Sequence, residues 1–394
     1  MDRRRYLQAA GSALTVSLLA GCSDTLSDLE TEEPARDDPV DLVGDPPDIE
    51  TTSTPTPDRS GEPTTSEPDE SGDLNIPIHL MELSGSTDPD LDAEDLEFKD
   101  RTYTQEIDWF GQTELSTQIP TNLYKYYKSR TRIGEYGAYV SDSYDDSYIA
   151  DVVGAFEEWQ GEDDRSDLET INHMIGFVQN LEYSSDEVAT GYNNYPKFPI
   201  ETLVDKGGDC EDTAILLASM LEEFGYGTVL LGLFDRNHMA LGIYGEEGIE
   251  GTYYETDGRR YYYVETTAPG WQIGEAPDDM RGANADLIQI NSHPVLVFQY
   301  SVSPKPGGVD VDCSIRNVGD ALASAASLRI IFEKPNGRTV SADRTGDLLI
   351  PPEETVSETL DMSVPDDQPL RIKARCALGN TLHDELVTDV ARPS

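Results

Sequence analysis

Cys210, His238 and Glu265 are the residues of this chain whose types and order fit covalent chemistry. A thiolate attacks a carbonyl carbon, an imidazole takes and returns the proton, and a carboxylate holds that imidazole in one tautomer. Cys210 lies in Lys206-Gly207-Gly208-Asp209-Cys210-Glu211-Asp212-Thr213-Ala214, directly before the apolar run Ile215 to Leu221. The spacing predicts a thiol in the first turn of an amphipathic helix. The unpaired N–H groups of a helix start favour a thiolate, whereas a free thiol, with a pKa of about 8.5, is only slightly ionised at neutral pH. Asp209, Glu211 and Asp212 act the other way, because nearby negative charge raises a thiol pKa unless the carboxylates point elsewhere. Activation therefore depends on His238 reaching Cys210.

The elements that must position these groups can be read from periodicity. The helix from Cys210 is capped by Asp209 and Asp212 and closes at Phe224-Gly225. Thr228 to Phe234 and His238 to Tyr244 read as the two strands of a hairpin, and Tyr261 to Val264 as a strand that delivers Glu265. A helix packed on such a sheet can meet the ends of two antiparallel strands on one edge. Ser166-Asp167-Leu168-Glu169 is a capping box before a further amphipathic helix, on which His173 reads as a structural residue. Tyr195 and Trp271 are candidates for the cleft, Tyr195 as an oxyanion donor, with packing in the core the alternative for each, and the backbone N–H of Cys210 suits the oxyanion role better. The chain has no Cys-x-x-Cys or His-x-x-x-His spacing, so neither a metal nor another cofactor is expected.

Gly207 to Ala214, then His238-Met239-Ala240 on a strand, then Tyr262-Tyr263-Val264-Glu265-Thr266-Thr267, resemble the core of the transglutaminase-like superfamily. The approach Tyr195-Pro196-Lys197-Phe198-Pro199-Ile200-Glu201-Thr202-Leu203 is similar to the segment before the cysteine in archaeal members of that group. The resemblance covers about residues 100 to 290. It implies a papain-like fold, with Cys210 as nucleophile, His238 as base and Glu265 as the acid. The superfamily more often has Asp at the third place, so here the carboxylate reaches one methylene further.

Three other cysteines need separate accounts. Arg3-Arg4-Arg5-Tyr6-Leu7, the apolar stretch Ala9 to Gly21 and the ending Leu19-Ala20-Gly21-Cys22 resemble a twin-arginine signal with a lipobox, which implies lipidation of Cys22 and a membrane anchor on the cell exterior. Cys313 shares a face with the odd-numbered apolar residues of Val309 to Ile315. Cys376 shares one with the even-numbered residues of Leu370 to Leu378. Two inward cysteines in an oxidising compartment suggest a Cys313–Cys376 disulfide, two buried free thiols being the alternative. Cys210 is left unpaired on either reading.

The formal charge of −49 arises from 77 acidic and 28 basic residues spread along the chain, which argues against nucleic acid as a partner. Such self-repulsion suits a saline medium, where the Debye length falls to about 3 Å at 1 M salt. The fold class expected is α+β: residues 1–22 a signal with lipobox, 23–95 a disordered acidic Thr/Pro-rich stalk, 96–294 the transglutaminase-like domain, and 295–394 an immunoglobulin-like β-sandwich. The expected function is that of a surface-anchored thiol acyl-transfer enzyme hydrolysing peptide or isopeptide bonds in a protein or peptide substrate. Two alternatives stand beside it: a cross-linking transglutaminase and a non-catalytic peptide-binding or adhesion module.

Overall fold

In the computed structural model, which describes residues 78–92, 96–185, 195–365 and 367–393, two sequence periods divide the chain into a mixed helix-and-sheet region and an all-β region. The described residues all belong to one compact unit. The twin-arginine segment, the Cys22 lipobox and most of the acidic stalk lie outside the described residues. No helix among the described residues is long and apolar enough to cross a membrane.

The segment expected to be the end of a stalk is instead packed. Ile78–Leu83 forms a 3-10 helix and Gly85–Ser86 a short strand, β1. Leu80 and Leu83 are buried in the all-β core, and β1 pairs with a strand some two hundred residues later. Two leucines placed three apart in a short turn anchor this piece, and Ser84 and Thr87 bond the backbone of Val302 and Phe298, contacts that the surrounding acidic composition masked.

The first region opens with a long hairpin, β2 (Phe98–Ile107) and β3 (Gly111–Pro120), whose alternating pattern buries Tyr103, Ile107, Leu115 and Ile119. Helices α1 (Thr121–Ser129), α2 (Asp146–Glu162) and α3 (Asp167–Gln179) follow. Ser166 and Glu169 form the predicted capping box, with Glu169 Oε2 accepting the Ser166 N–H at 2.9 Å. His173 sits among Phe110, Phe156 and Trp159, and burial holds its pKa down at about 4, so the ring is a neutral packing element. Next come β4 (Glu182–Tyr183), α4 (Pro199–Asp205), β5 (Gly207–Gly208) and α5 (Cys210–Glu223). Strands β6 (Thr228–Leu233), β7 (His238–Gly245), β8 (Tyr253–Thr256), β9 (Arg259–Val264) and β10 (Asp286–Gln289) make an antiparallel sheet in the order β10-β6-β7-β9-β8. Helix α5 is apolar almost all round because it is the central helix: it packs on β6 and β7 and is flanked by α2 and α3.

The second region holds β11 (Leu296–Lys305), β12 (Gly308–Asn317), β13 (Ala323–Glu333), β14 (Thr339–Arg344), β15 (Leu348–Ile350), β16 (Thr355–Met362), β17 (Arg371–Leu378) and β18 (Thr381–Val387). They form two antiparallel sheets, β1-β11-β12-β16 and β14-β13-β17-β18, with β15 alongside β13. Inward residues of both sheets enclose one core. Cys313 on β12 and Cys376 on β17 both face it, yet both are free thiols, so the expected disulfide is not formed. Parity fixes the face a side chain occupies but not its distance from a partner, and a disulfide needs its Cα atoms within about 7 Å.

The two regions meet at a buried polar cluster. Arg130, at the end of α1, donates to Tyr126 Oη at 3.1 Å and to the Leu296 carbonyl at 2.9 Å, and its Nη1 lies 3.5 Å from Asp384 Oδ2. Asp384 also accepts the Thr131 N–H at 3.1 Å, and His383 Nε2 accepts the Leu296 N–H at 2.9 Å.

Candidate active site

The glycine pair before the thiol is a steric requirement. A Cβ on Gly207 would lie 2.2 Å from the Glu182 carbonyl oxygen, and one on Gly208 would lie 2.4 Å from Asp212. Without side chains, β5 can pair in parallel with β4 and turn straight into α5. The helix start is then fixed by Asp212: its Oδ2 accepts the Asp209 N–H at 3.2 Å and its Oδ1 the Lys197 N–H at 2.7 Å. The fully buried Lys197 ammonium adds a bond to the Gly207 carbonyl at 2.8 Å. Asp212 is therefore spent on backbone and on Lys197, one of the three acidic neighbours that the sequence sets against the thiol.

Glu211 is not. Cys210 Sγ donates to Glu211 Oε2 at 3.1 Å. Burial, the Glu211 charge and this hydrogen bond push the thiol well above its ordinary pKa, while a backbone hydrogen bond from Met239 acts in the opposite sense. That Met239 contact brings the sulfur to the first residues of β7, beside His238. Among the described residues no hydrogen bond joins Cys210 to His238 in this conformation.

His238 opens β7, opposite Leu233, after a tight turn in which Asn237 takes φ +50°. Its Nε2 is 3.1 Å from Glu265 Oε2, which leaves Nδ1 as the other ring nitrogen. Glu265 follows the last residue of β9, where the register Leu241↔Val264 carries it toward the start of β7. Its carboxylate is 3 % exposed and heavily solvated by the protein: Oε2 also accepts the Tyr263 hydroxyl at 2.7 Å, and Oε1 accepts the N–H groups of Thr266 and Thr267 at 3.0 Å each and the Thr267 hydroxyl at 2.7 Å. Burial alone would raise its pKa, but the bonds from His238, Thr267 and Tyr263 outweigh it and hold Glu265 at about 2. The extra methylene of Glu over Asp is thus accommodated with every oxygen bonded.

Two further residues tie these elements together. Thr213 Oγ1, one turn after the thiol, bonds the Asp209 carbonyl at 2.8 Å and Thr266 Oγ1 at 2.9 Å, linking α5 to the end of β9. Gln179 at the end of α3 donates to the carbonyls of Glu265 at 2.8 Å and Trp271 at 3.0 Å. The sequence reading missed both, as it missed Tyr263 and Lys197. Thr213, Lys197 and Tyr263 carried a signal, their place in the segments around Cys210 and Glu265, and Gln179 carried none.

Trp271 lines a narrow cleft with Trp109, Gln179 and Asn180, on the Gln179 side of Glu265. Tyr195 belongs to another cluster: the Arg132 guanidinium stacks on its ring at 3.9 Å and bonds its hydroxyl, which donates to the buried Glu201 at 3.0 Å. Burial and the Glu201 charge raise its pKa to about 12. Asp209, Cys210 and Glu211 place one oxygen, the sulfur and another oxygen within 4.8 Å of one another. Three consecutive residues supply this set, with no imidazole, one group short of a closed tetrahedral zinc site.

No protein-family model matches the chain, and no curated protein does. Among solved structures the chain is similar to red sea bream transglutaminase at 12% identity, with a TM-score of 0.21, over 75% of this chain and 62% of that one. The chain thus spans less than two thirds of that protein's length, and the likeness to a transglutaminase is a weak one of coarse fold.

Proposed function

We propose that residues 96–294 form a thiol acyl-transfer domain of the transglutaminase-like, papain-like type, in which Cys210, His238 and Glu265 hydrolyse a peptide or isopeptide bond. The observation that carries this reading is the fixed imidazole: an ionised, four-donor Glu265 holds His238 Nε2 at 3.1 Å, next to the strand residue whose backbone bonds Cys210 Sγ. In the reaction the thiol leaves Glu211 and gives its proton to His238 Nδ1, and the sulfur attacks the substrate carbonyl. The α5 N-terminus, with the backbone N–H of Cys210, bears the oxyanion. His238 then protonates the leaving amine, and a water molecule, deprotonated by the same ring, releases the acid and the thiol. Glu265 stays ionised throughout and stabilises the imidazolium.

The remaining parts of the proposal come from the sequence: export through a twin-arginine signal, a lipid on Cys22, an exterior membrane location in a saline habitat, and an immunoglobulin-like C-terminal sandwich. The test is iodoacetamide labelling of Cys210 in high salt over a pH series, with His238→Ala alongside. Because burial and Glu211 hold the resting thiol above its ordinary pKa, labelling of the parent is expected to set in only above neutral pH, yet at lower pH and faster than in His238→Ala. A thiol equally unreactive in both proteins would overturn the reading.

A further inference from the structure

The strand register of the all-β region sets three arginines in a row. Arg329 on β13 is the Cα partner of Arg344 on β14 and of Arg375 on β17. Leu328 and Ile330 are buried, as are Ala374 and Cys376, so Arg329 and Arg375 project from the outer face of the sheet. Like charges directly opposite across strands repel. The chain has only twenty arginines against 77 acidic residues, so acidic partners for this row would be easy to supply. Arg344 takes one, Asp347 at 2.7 Å, and Arg375 another, Glu385 at 3.1 Å. The side chain of Arg329, the middle member, makes no hydrogen bond or ion pair among the described residues.

The row lines an open groove of about 630 Å³, to which Ser327 and Asn380 add a hydroxyl and an amide. That volume is within the range of about 300–1,000 Å³ common for ligand sites. Neighbouring strands lie about 4.8 Å apart, so three guanidinium forks present paired N–H donors across about 10 Å. In concentrated salt the long-range field of the row is screened, whereas bidentate bonds made at contact persist.

We propose that this groove binds a ligand carrying two or more carboxylate or sulfate groups. One group sits on Arg329 and a second displaces the exposed Asp347 from Arg344, an exchange that costs little because exposed ion pairs contribute at most about 1 kcal/mol. The same chemistry is offered by a small polyvalent acid and by an acidic sugar chain. The site lies on the all-β region and does not depend on the chemistry at Cys210.

Calorimetric titration of the full chain in high salt with citrate and with oligogalacturonate separates the two sources, uncharged maltooligosaccharide serving as control. At least one anion is expected to bind. Arg329→Ala should weaken that binding tenfold or more, Arg329→Lys should restore part of it, and Arg338→Ala, an exposed arginine outside the groove, should leave it unchanged. Citrate binding lost in Arg329→Ala assigns a free polyvalent acid, and binding of oligogalacturonate alone assigns the sugar chain. Binding of neither anion, or binding indifferent to both Arg329→Ala and Arg344→Ala, would overturn the proposal.

Discussion

Residues 96–294 carry thirty-eight acidic and thirteen basic side chains, and residues 295–394 fifteen and ten, yet the more acidic region buries more of its charged side chains, Lys197, Glu201, Asp212 and Glu265 among them. Glu265 is 3 % exposed and has four donors besides His238, if the two threonine amides are counted separately. Arg329 projects from a sheet whose inward residues on β13 and β17 are apolar and has no side-chain partner among the described residues. A carboxylate buried with its hydrogen bonds satisfied is held in one geometry, which suits orientation of a reacting imidazole. A guanidinium left exposed keeps its donors for something outside the chain. The contrast lies between a group committed to the fold and a group reserved from it.

Replacing Glu265 should give the largest effect and the clearest test of that contrast. Glu265→Ala strands the Tyr263 hydroxyl, the Thr266 and Thr267 donors and His238, so about 3–5 kcal/mol of stability should be lost. The rate of substrate hydrolysis should drop by about 10⁴, as when a triad acid loses its hold on the histidine tautomer. Arg329→Ala, by comparison, should stay within about 0.5 kcal/mol of the parent. Glu265→Gln adds a pH signature. The folded pKa of about 2 lies below the ordinary 4.5, so the stabilisation is complete above about pH 4.5 and is lost as the pH falls through 2. That difference corresponds to about 3 kcal/mol. Urea melts between neutral and acid pH should therefore show a steeper acid loss in the parent than in Glu265→Gln. Parallel curves would mean that these bonds do not hold the carboxylate ionised.

The junction of the two regions gives the next effect. Arg130 and Asp384 are 4 % and 1 % exposed, so either one alone is a buried charge. Arg130→Ala or Asp384→Ala should each cost about 3–5 kcal/mol, and the double variant much less than the sum. Either single change should also split one unfolding transition into two, as the regions lose the cluster that joins them. Additive losses with a single transition would show that the pair is independent of the junction.

Much of this was legible in sequence. Apolar residues at 3.6-residue spacing after Ser166 and after Cys210 found α3 and α5, and the order thiol, imidazole, carboxylate found a hydrogen-bonded His238–Glu265 pair. Alternation found the strands of the all-β region. What stayed hidden depends on contacts between distant segments. Nothing near Gln179 indicates that its amide reaches the carbonyls of Glu265 and Trp271, and nothing near Leu80 and Leu83 indicates a sheet formed two hundred residues on. The proton position on Cys210 was hidden for a local reason: three carboxylates flank it, and only packing decides that Asp212 turns to Lys197 while Glu211 turns to the sulfur.

The smallest expected effect concerns the other two thiols. A disulfide between Cys313 and Cys376 would close a loop long enough to contribute about 4 kcal/mol in the chain-entropy account. The two sulfurs are free instead: Cys313 is bonded only weakly, to the Val311 carbonyl at 3.8 Å, and Cys376 is fully enclosed beside Asp384 and Arg130. Burial pushes both above the ordinary thiol pKa, as it does Cys210, which differs from them in remaining partly exposed. Adding a reductant should therefore leave the melting temperature unchanged, and alkylation of the native protein should modify Cys210 first, with Cys313 and Cys376 reached only on unfolding. A melting temperature that drops in reductant would show that the core thiols join under oxidising conditions. The distinction between a reactive thiol on a helix start and inert thiols in a core would then rest on bonding rather than on access.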